Sequence, residues 1–169
     1  MNLETVYETY FPKIYNYIFY RVMHKQTAED LTSAVFLKAA DRFHTYDSDK
    51  GAVSTWLFKI AENTLTDHFR ANRIAISADE LTDSTALSVD FEEQTAIIKD
   101  ENLRELYIAM QQLGDVTRGI ISEKYFAEKS IKQIAKERNM NESTVSTMHS
   151  RGLEKLRKIM KTGGMDNAG

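Results

Sequence analysis

From residue 74 to about residue 90 the apolar periodicity that organises the rest of the chain stops, and Ser, Thr and Asp accumulate. Such a stretch buries too little apolar surface to offset the entropy of ordering it, so it reads as a loose tether. It forbids a single continuous core, and the chain must fold on either side of it. Both sides carry helical patterns. On the first, Ile14, Ile18 and Val22 recur every fourth residue beside Phe11 and Tyr15. Leu31, Val35 and Ala39, flanked by Phe36 and Phe43, form a second apolar face, and Trp56, Leu57, Ile60, Ala61 and Leu65 a third. Pro12 is expected at a kink or in the first turn of a second segment. Thr27-Ala28-Glu29-Asp30 has a capping-box-like pattern that opens a helix. Residues 46–52 read as a polar loop. Beyond the tether the pattern returns near Phe91, runs through Leu103, Leu106, Met110 and Leu113, and continues as helices around 115–127, 130–138 and 142–160. The tail from Thr162 is expected to fray. Only 7 Gly and 1 Pro in 169 residues favour helices over strands. The expected fold is all-α, with small helical domains at 1–73 and 102–161. An acidic flexible linker at 74–101, whose end can begin the next helix, joins them, and 162–169 form the tail.

Several classes of function are set aside by composition. The chain has no cysteine, which removes disulfides and thiolate metal sites. It opens directly into amphipathic sequence, and no apolar run approaches the ~20 residues of a membrane span, so a cytoplasmic protein without membrane insertion is expected. His24, His44, His68 and His149 show no HxxxH or HExxH ligand spacing, and neither a Gly-rich phosphate loop nor a nucleophile elbow is present. Asp67 and His68 are adjacent on one helix, where side chains diverge by about 100°, so they make a poor dyad. No catalytic residue, metal or cofactor is expected.

The net charge of −3 argues at first against a nucleic-acid partner, but its distribution does not. Residues 1–73 balance at 9 basic and 9 acidic side chains, residues 74–101 hold 1 against 8, and residues 102–169 hold 12 against 8. A basic C-terminal end is thus masked by an acidic middle, and affinity for nucleic acid follows local patches.

Residues 130–151 fit a DNA-reading helix-turn-helix. Ala135 supplies the small residue where two helices cross, with Ile134 beside it as core. Asn139 stands where the turn needs a left-handed residue, a conformation Asn tolerates second only to Gly. Met140 and Val145 fill the apolar places, and Asn141 can cap the next helix, whose exposed face reads Glu142, Ser143, Thr144, Ser146 and Thr147. Ser150, Arg151, Lys155, Arg157, Lys158 and Lys161 trail along it, where the cations could meet phosphates. A helical hairpin that merely packs, with a solvated basic face, has the same pattern.

The N-terminal half carries a more specific signal. AEDLTSAVFLKA at 28–39 and STWLFKIAENTLTDHFR at 54–70 resemble region two of the extracytoplasmic-function (ECF) sigma factors of the sigma-70 family. The order is also the family's: these strings, an acidic linker, then a region-four helix-turn-helix (SIKQIAKERNMNESTVSTMHSRGLEKL). The resemblance covers 3–73 and about 103–160. It implies a sigma factor that directs promoter recognition and transcription initiation for a stress- or signal-responsive gene set, with no chemistry of its own. It further implies that Glu29, Asp30, Leu31, Ser33 and Val35 dock on the clamp helices of the largest subunit of core RNA polymerase. Carboxylates suit arginines there, although Glu29 and Asp30 also compensate a helix dipole, and Ala34 stands where many members carry Glu. Residues 44–55 and the following helix would handle the minus-ten element. Asn63 would face the pocket for an unstacked base, since an amide both donates and accepts; a plain surface Asn fits the chemistry as well. Trp56 belongs with this set mainly as an anchor of the fold. Lys59, Arg70 and Arg73, and more weakly Arg42, are backbone contacts.

Ser143, Thr144, Ser146, Thr147, Ser150, Arg151 and Lys155 would serve the minus-thirty-five element. Many relatives read TVKSRLSRA where this chain has Ser146 for Lys, Met148 for Arg and His149 for the buried Leu. Met148 is expected to take over the core place and His149 to face solvent or a phosphate. Expected partners are core polymerase (clamp helices and flap region), promoter DNA and an anti-sigma factor covering the amphipathic faces, the free protein being a monomer. The alternatives are a helix-turn-helix regulator that binds DNA without polymerase and an antagonist that occupies the sigma site on the polymerase.

Overall fold

The computed structural model describes residues 2–78 and 90–168, and every described element is helical. The chain divides into two compact units, one of Met1–Phe19 with His24–Asp90, the other of Tyr20–Met23 with Phe91–Gly169. Helices α1 (Leu3–Val22), α2 (Lys25–Arg42) and α3 (Val53–Ala78) build the first. Helices α4 (Phe91–Ile97), α5 (Glu101–Gln111), α6 (Asp115–Tyr125), α7 (Ile131–Arg138) and α8 (Glu142–Ala168) build the second.

In the first unit the amide of Thr5 donates to Asn2 Oδ1 at 2.8 Å, satisfying one of the open donors at the start of α1. Val6, Ile14, Tyr17 and Ile18 form its buried stripe. Pro12 lies neither at a break nor in a first turn: it sits inside the single helix α1, on its exposed side. There water can take the carbonyl that the missing N–H leaves free. Helix α2 also starts earlier than its capping-box-like pattern suggests. Its cap is His24, whose Nδ1 accepts the amide of Thr27 at 3.1 Å, so Thr27 lies in the first turn. Ala28, Thr32, Val35, Phe36 and Ala39 of α2 pack inward, as do Leu57, Ile60, Ala61, Thr64 and Leu65 of α3. A single 3-10 turn, Phe43–Thr45, ends α2 and leads into the polar loop.

The second unit is pinned by local caps. Asp100 Oδ1 accepts the Leu103 amide at 3.1 Å, and Ser130 Oγ accepts that of Gln133 at 3.1 Å. Ile120, Ile134, Ala135 and Val145 form a core against which Ile131, Met140 and Met148 pack.

Two stretches differ from their compositional reading. Helix α3 runs on to Ala78, past the start of the acidic 74–101 stretch, while α4 (Phe91–Ile97) opens where the helical pattern returns near Phe91. The linker residues 79–89, with Asp79, Glu80 and Asp83, lie outside the described residues. At the other end, the tail expected to fray is helical through Ala168. Propensity alone did not reveal that continuation, because Gly163 and Gly164 interrupt the pattern.

Candidate functional site

Three faces collect the candidate residues. The first is the outer side of α2. Asp30 and Ser33 are exposed and Glu29 and Leu31 half-buried, so all four are accessible, with Leu31 on a different side of α2 from Ser33. Gln26 Nε2 donates to Asp30 Oδ1 at 2.9 Å, and Lys25 lies 4.0 Å from Glu29, which orients both carboxylates. Tyr15, half-buried on α1, has its phenol pushed up by burial and by the nearby charge of Glu29. Val35 does not belong to this surface. It is 0% exposed, on the stripe of Ala28, Thr32 and Ala39, and its place in the docking set is corrected accordingly. Leu37, one turn beyond Ser33, is 72% exposed instead. Together with Leu3, Tyr7, Phe11 and Ser33 it lines an apolar groove. The i, i+4 spacing from Ser33 could have singled it out, but an apolar residue amid apolar neighbours reads as core.

The second face lies on α3 and the loop before it. Tyr46 Oη donates to the Gly51 carbonyl at 2.9 Å, and the Asp49 amide donates to Asp47 Oδ1 at 2.9 Å, so the loop is closed on itself. Trp56 is half-buried, its ring 5.4 Å from Tyr46 and 6.2 Å edge-on from Phe43. It holds the loop and lines a shallow concavity with Thr45, Asp47, Lys50 and Thr55. Asn63 stands two turns further on, in a separate and more polar hollow. That hollow is lined by Lys38, Arg42, Ile60, Asn63, Thr66, Asp67 and Arg70. The structure therefore unites Asn63 with Arg70 and leaves Trp56 apart from them. Lys59 is exposed and sits 3.9 Å from Glu62, and Arg73 is exposed outside both hollows.

The third face is the helix-turn-helix. Asn139 adopts φ 54°, ψ 49°, the left-handed turn read from the sequence. The Met140 amide donates back to the Ala135 carbonyl at 2.9 Å, closing α7. Ser143, Thr144, Ser146, Thr147, Ser150 and Arg151 are all exposed on α8. Thr147 Oγ1 already donates to the Ser143 carbonyl at 2.8 Å, so its hydroxyl proton is committed within α8. Lys155 is committed elsewhere, donating from Nζ to the Gln112 carbonyl at the end of α5 (2.9 Å). Met148 packs on the core as expected. His149 does not face solvent: its ring stacks on Tyr125 at 5.8 Å and its Nε2 is buried without a hydrogen-bond partner. Burial, and secondarily the charge of Lys124, hold the imidazole below its ordinary pKa.

Two supports of this face were not legible in the motif. Arg138, the last residue of α7, forms a bidentate pair with Glu123 of α6, at 2.7 and 3.1 Å. Glu123 is 7% exposed at its side chain, and Arg21 lies 3.7 Å from it. Gly152 lets α8 approach α6, since a Cβ there would stand 2.7 Å from Thr117 Cγ2 and 2.9 Å from Ile121 Cδ1. Among the described residues, no group of three His, Cys, Asp or Glu could hold a metal, and no helix is long and apolar enough to cross a membrane.

Comparison with known proteins identifies the family. The family model of Sigma-70 region 2 matches residues 6–74, and that of Sigma-70, region 4 matches 109–158. The chain is 31% identical over 163 residues to the ECF RNA polymerase sigma factor SigX of Bacillus subtilis, covering 94% of this chain and 83% of that protein. It is 26% identical over 164 residues to the sigma factor SigW of the same organism, with 92% and 87% covered. Its fold is similar to that of the sigma factor RpoE, solved in complex with the anti-sigma factor NepR from Bartonella quintana. The TM-score is 0.70 at 18% identity, over 94% of this chain and 96% of that one. The chain belongs to the ECF sigma factors of the sigma-70 family, and it is an RNA polymerase sigma factor that directs promoter recognition and the initiation of transcription.

Proposed function

We propose that the three faces divide the work of this sigma factor. Helix α2, through Glu29, Asp30, Ser33 and Leu37 and, at its edge, Leu31, docks on the clamp helices of the largest subunit of core polymerase. The loop around Trp56 and the hollow at Asn63 open and read the minus-ten element. The exposed hydroxyl face of α8 reads the minus-thirty-five element, and the second unit meets the flap region of the polymerase. An anti-sigma factor covers the apolar groove of α2 while the signal is absent, because Leu37 and Tyr7 would otherwise expose apolar surface to water. The gene set is stress- or signal-responsive, and the protein works in the cytoplasm as a monomer when free. The 74–101 stretch, with exposed Glu92 and Glu93 on α4, acts as an acidic tether in the basic channel that RNA later uses.

The observation that carries this division is the left-handed Asn139 turn, which sets Ser143, Thr144, Ser146 and Thr147 outward on the N-terminal turns of α8. The test is transcription in vitro with core polymerase from the host on fragmented genomic DNA, with the start sites mapped. Shared elements near minus ten and minus thirty-five support the assignment. Start sites that share only the minus-ten element would remove α8 from promoter reading.

A further inference from the structure

Two ion pairs clasp the last turn of α7, and both lead back to one residue of α6. Arg138 Nε and Nη2 donate to the two carboxylate oxygens of Glu123, at 3.1 and 2.7 Å. Its neighbour Glu137 accepts from Lys129 Nζ at 2.5 Å and from Gln133 Nε2 at 3.2 Å. Lys129 is buried, and its own amide donates to the Glu123 backbone carbonyl at 3.1 Å. The side chain and the carbonyl of Glu123 thus hold α7 through adjacent residues that project about 100° apart. Gly119, one turn before Glu123, clears the ground: an added Cβ there would run into Arg138 Nη2, so the guanidinium lies close against α6. The apolar contact between these helices is less exacting. Its core of Ile120, Ile134, Ala135 and Val145 is flanked by Met140 and Met148, and thioether side chains accommodate several packings.

Resting on the minus-thirty-five role assigned above, we infer that Glu123 is a specificity-determining positioning residue, which sets the angle at which α7 presents α8 to the upstream element. Apolar burial is non-directional, so a helix can roll or slide on such a core at small cost. A bidentate guanidinium–carboxylate pair is planar and directional, and it admits one distance and one rotation. Arg21 Nη1 stands 3.7 Å from the same carboxylate, at ion-pair rather than hydrogen-bond distance, so Arg138 supplies the directional contact. Arg138 is the last residue of α7, and the left-handed Asn139 follows it directly. That corner has no slack, because the Met140 amide is bonded to the Ala135 carbonyl at 2.9 Å. A roll of the last turn of α7 therefore passes straight to Ser143, Thr144, Ser146 and Thr147. Stability alone does not account for the pair. Apolar residues of similar volume commonly fill a buried site as well or better, and fixing register is the best-attested use of such a pair.

The test reads selectivity and stability separately, the first in holoenzyme assembled from host core polymerase and the full chain. The templates are a mapped promoter, a set altered at single positions of its upstream element, and a set altered in its minus-ten element. Glu123→Leu with Arg138→Leu should melt at or above the temperature of the parent, because apolar bulk replaces the pair. Its discrimination among upstream elements should nevertheless fall about fivefold or more, the selectivity carried by one base pair. Discrimination among minus-ten elements should stay as in the parent. Arg138→Lys keeps the charge but not the planar fork, and should lose upstream discrimination as well. Circular dichroism identifies a variant that fails to fold, and Arg138→Lys then carries the measurement. Parent-like upstream discrimination in a folded variant without the bidentate pair overturns the proposal. So does a loss shared equally by both sets of templates, which a merely structural role would produce. A parent holoenzyme indifferent to its upstream element would instead count against the minus-thirty-five role of α8 itself.

Discussion

Gly152→Ala adds a methyl group where α8 passes close to α6. On helix propensity alone the change stabilises by about 0.8–1 kcal/mol, because Gly is the costlier residue inside a helix. Geometry opposes it. The new Cβ would lie 2.7 Å from Thr117 Cγ2 and 2.9 Å from Ile121 Cδ1, both on α6. Ile121 Cδ1 is the far end of a side chain and can rotate away. Thr117 Cγ2 sits on a β-branched carbon with a stiff χ1, so relief there requires α8 to move outward. Overpacking of this kind costs about 1–3 kcal/mol. The balance is a loss of roughly 0–2 kcal/mol, which for a chain of this length lowers the melting temperature by a few degrees. The shift also displaces Ser146 and Thr147 from their element, so upstream-element binding should fall more than stability. Adding Thr117→Ser removes Cγ2 and should restore both. Thermal melts and promoter-binding titrations of the single and double variants check this. A Gly152→Ala protein that melts higher than the parent, or a loss that Thr117→Ser leaves untouched, refutes the close-approach argument.

Four further outcomes are expected. Arg138→Ala leaves the Glu123 carboxylate buried with only the more distant Arg21 beside it, and should cost about 3 kcal/mol, read from denaturant unfolding. Burial lowers the His149 pKa in the fold, so near pH ~6.5 the unfolded chain binds more protons and stability falls as the pH drops through that range. His149→Leu should reduce this dependence between pH 5.5 and 7.5, and the remainder belongs in part to His68, whose pKa burial also lowers. Asn63→Ala should weaken promoter opening by about 1–3 kcal/mol while sparing core binding; if minus-ten preferences among sequences are unaltered, Asn63 reads nothing. Selection from a randomised upstream element should return a permissive, A/T-leaning consensus, since short hydroxyls and a Thr methyl replace the cations of the family's helix, and a sharp G-rich consensus would contradict it.

The helices and the turn were legible because their signals are local. The spacing of Ile14, Ile18 and Val22, the small Ala135 and the left-handed Asn139 each act within a turn or two of chain. The misplacements have physical causes of the same scale. His24 was passed over as a cap because Ser, Thr, Asp and Asn dominate that position, yet an imidazole nitrogen accepts an amide equally well. Val35 accompanies Ser33 in the motif, but neighbours in a motif need not share a face: at about 100° per residue, two positions apart point to opposite sides, and Val35 is buried. His149 was sent to solvent on its polarity, whereas Tyr125 offers a ring to stack on. The site's long-range partners were illegible for another reason. Nothing in the spacing of Lys38 and Asn63, or of Glu123 and Arg138, announces that two helices will bring them together.

Among the described residues the left-handed corners are held by Met23, Glu128 and Asn139, and no glycine occupies one. Glycine serves instead as clearance, at Gly119 against the Arg138 guanidinium and at Gly152 against α6. Glu128 follows α6 and Asn139 joins the two helices of the motif; Asn accepts the left-handed bend readily, whereas Glu128 holds it against its side chain. A protein built this way holds unspent tolerance to mutation: Glu128→Gly would relax a strained corner at a residue outside the three faces. A laboratory seeking to recode α8 for new promoters could lay in that reserve first, then draw it down as destabilising changes accumulate in the reading helix.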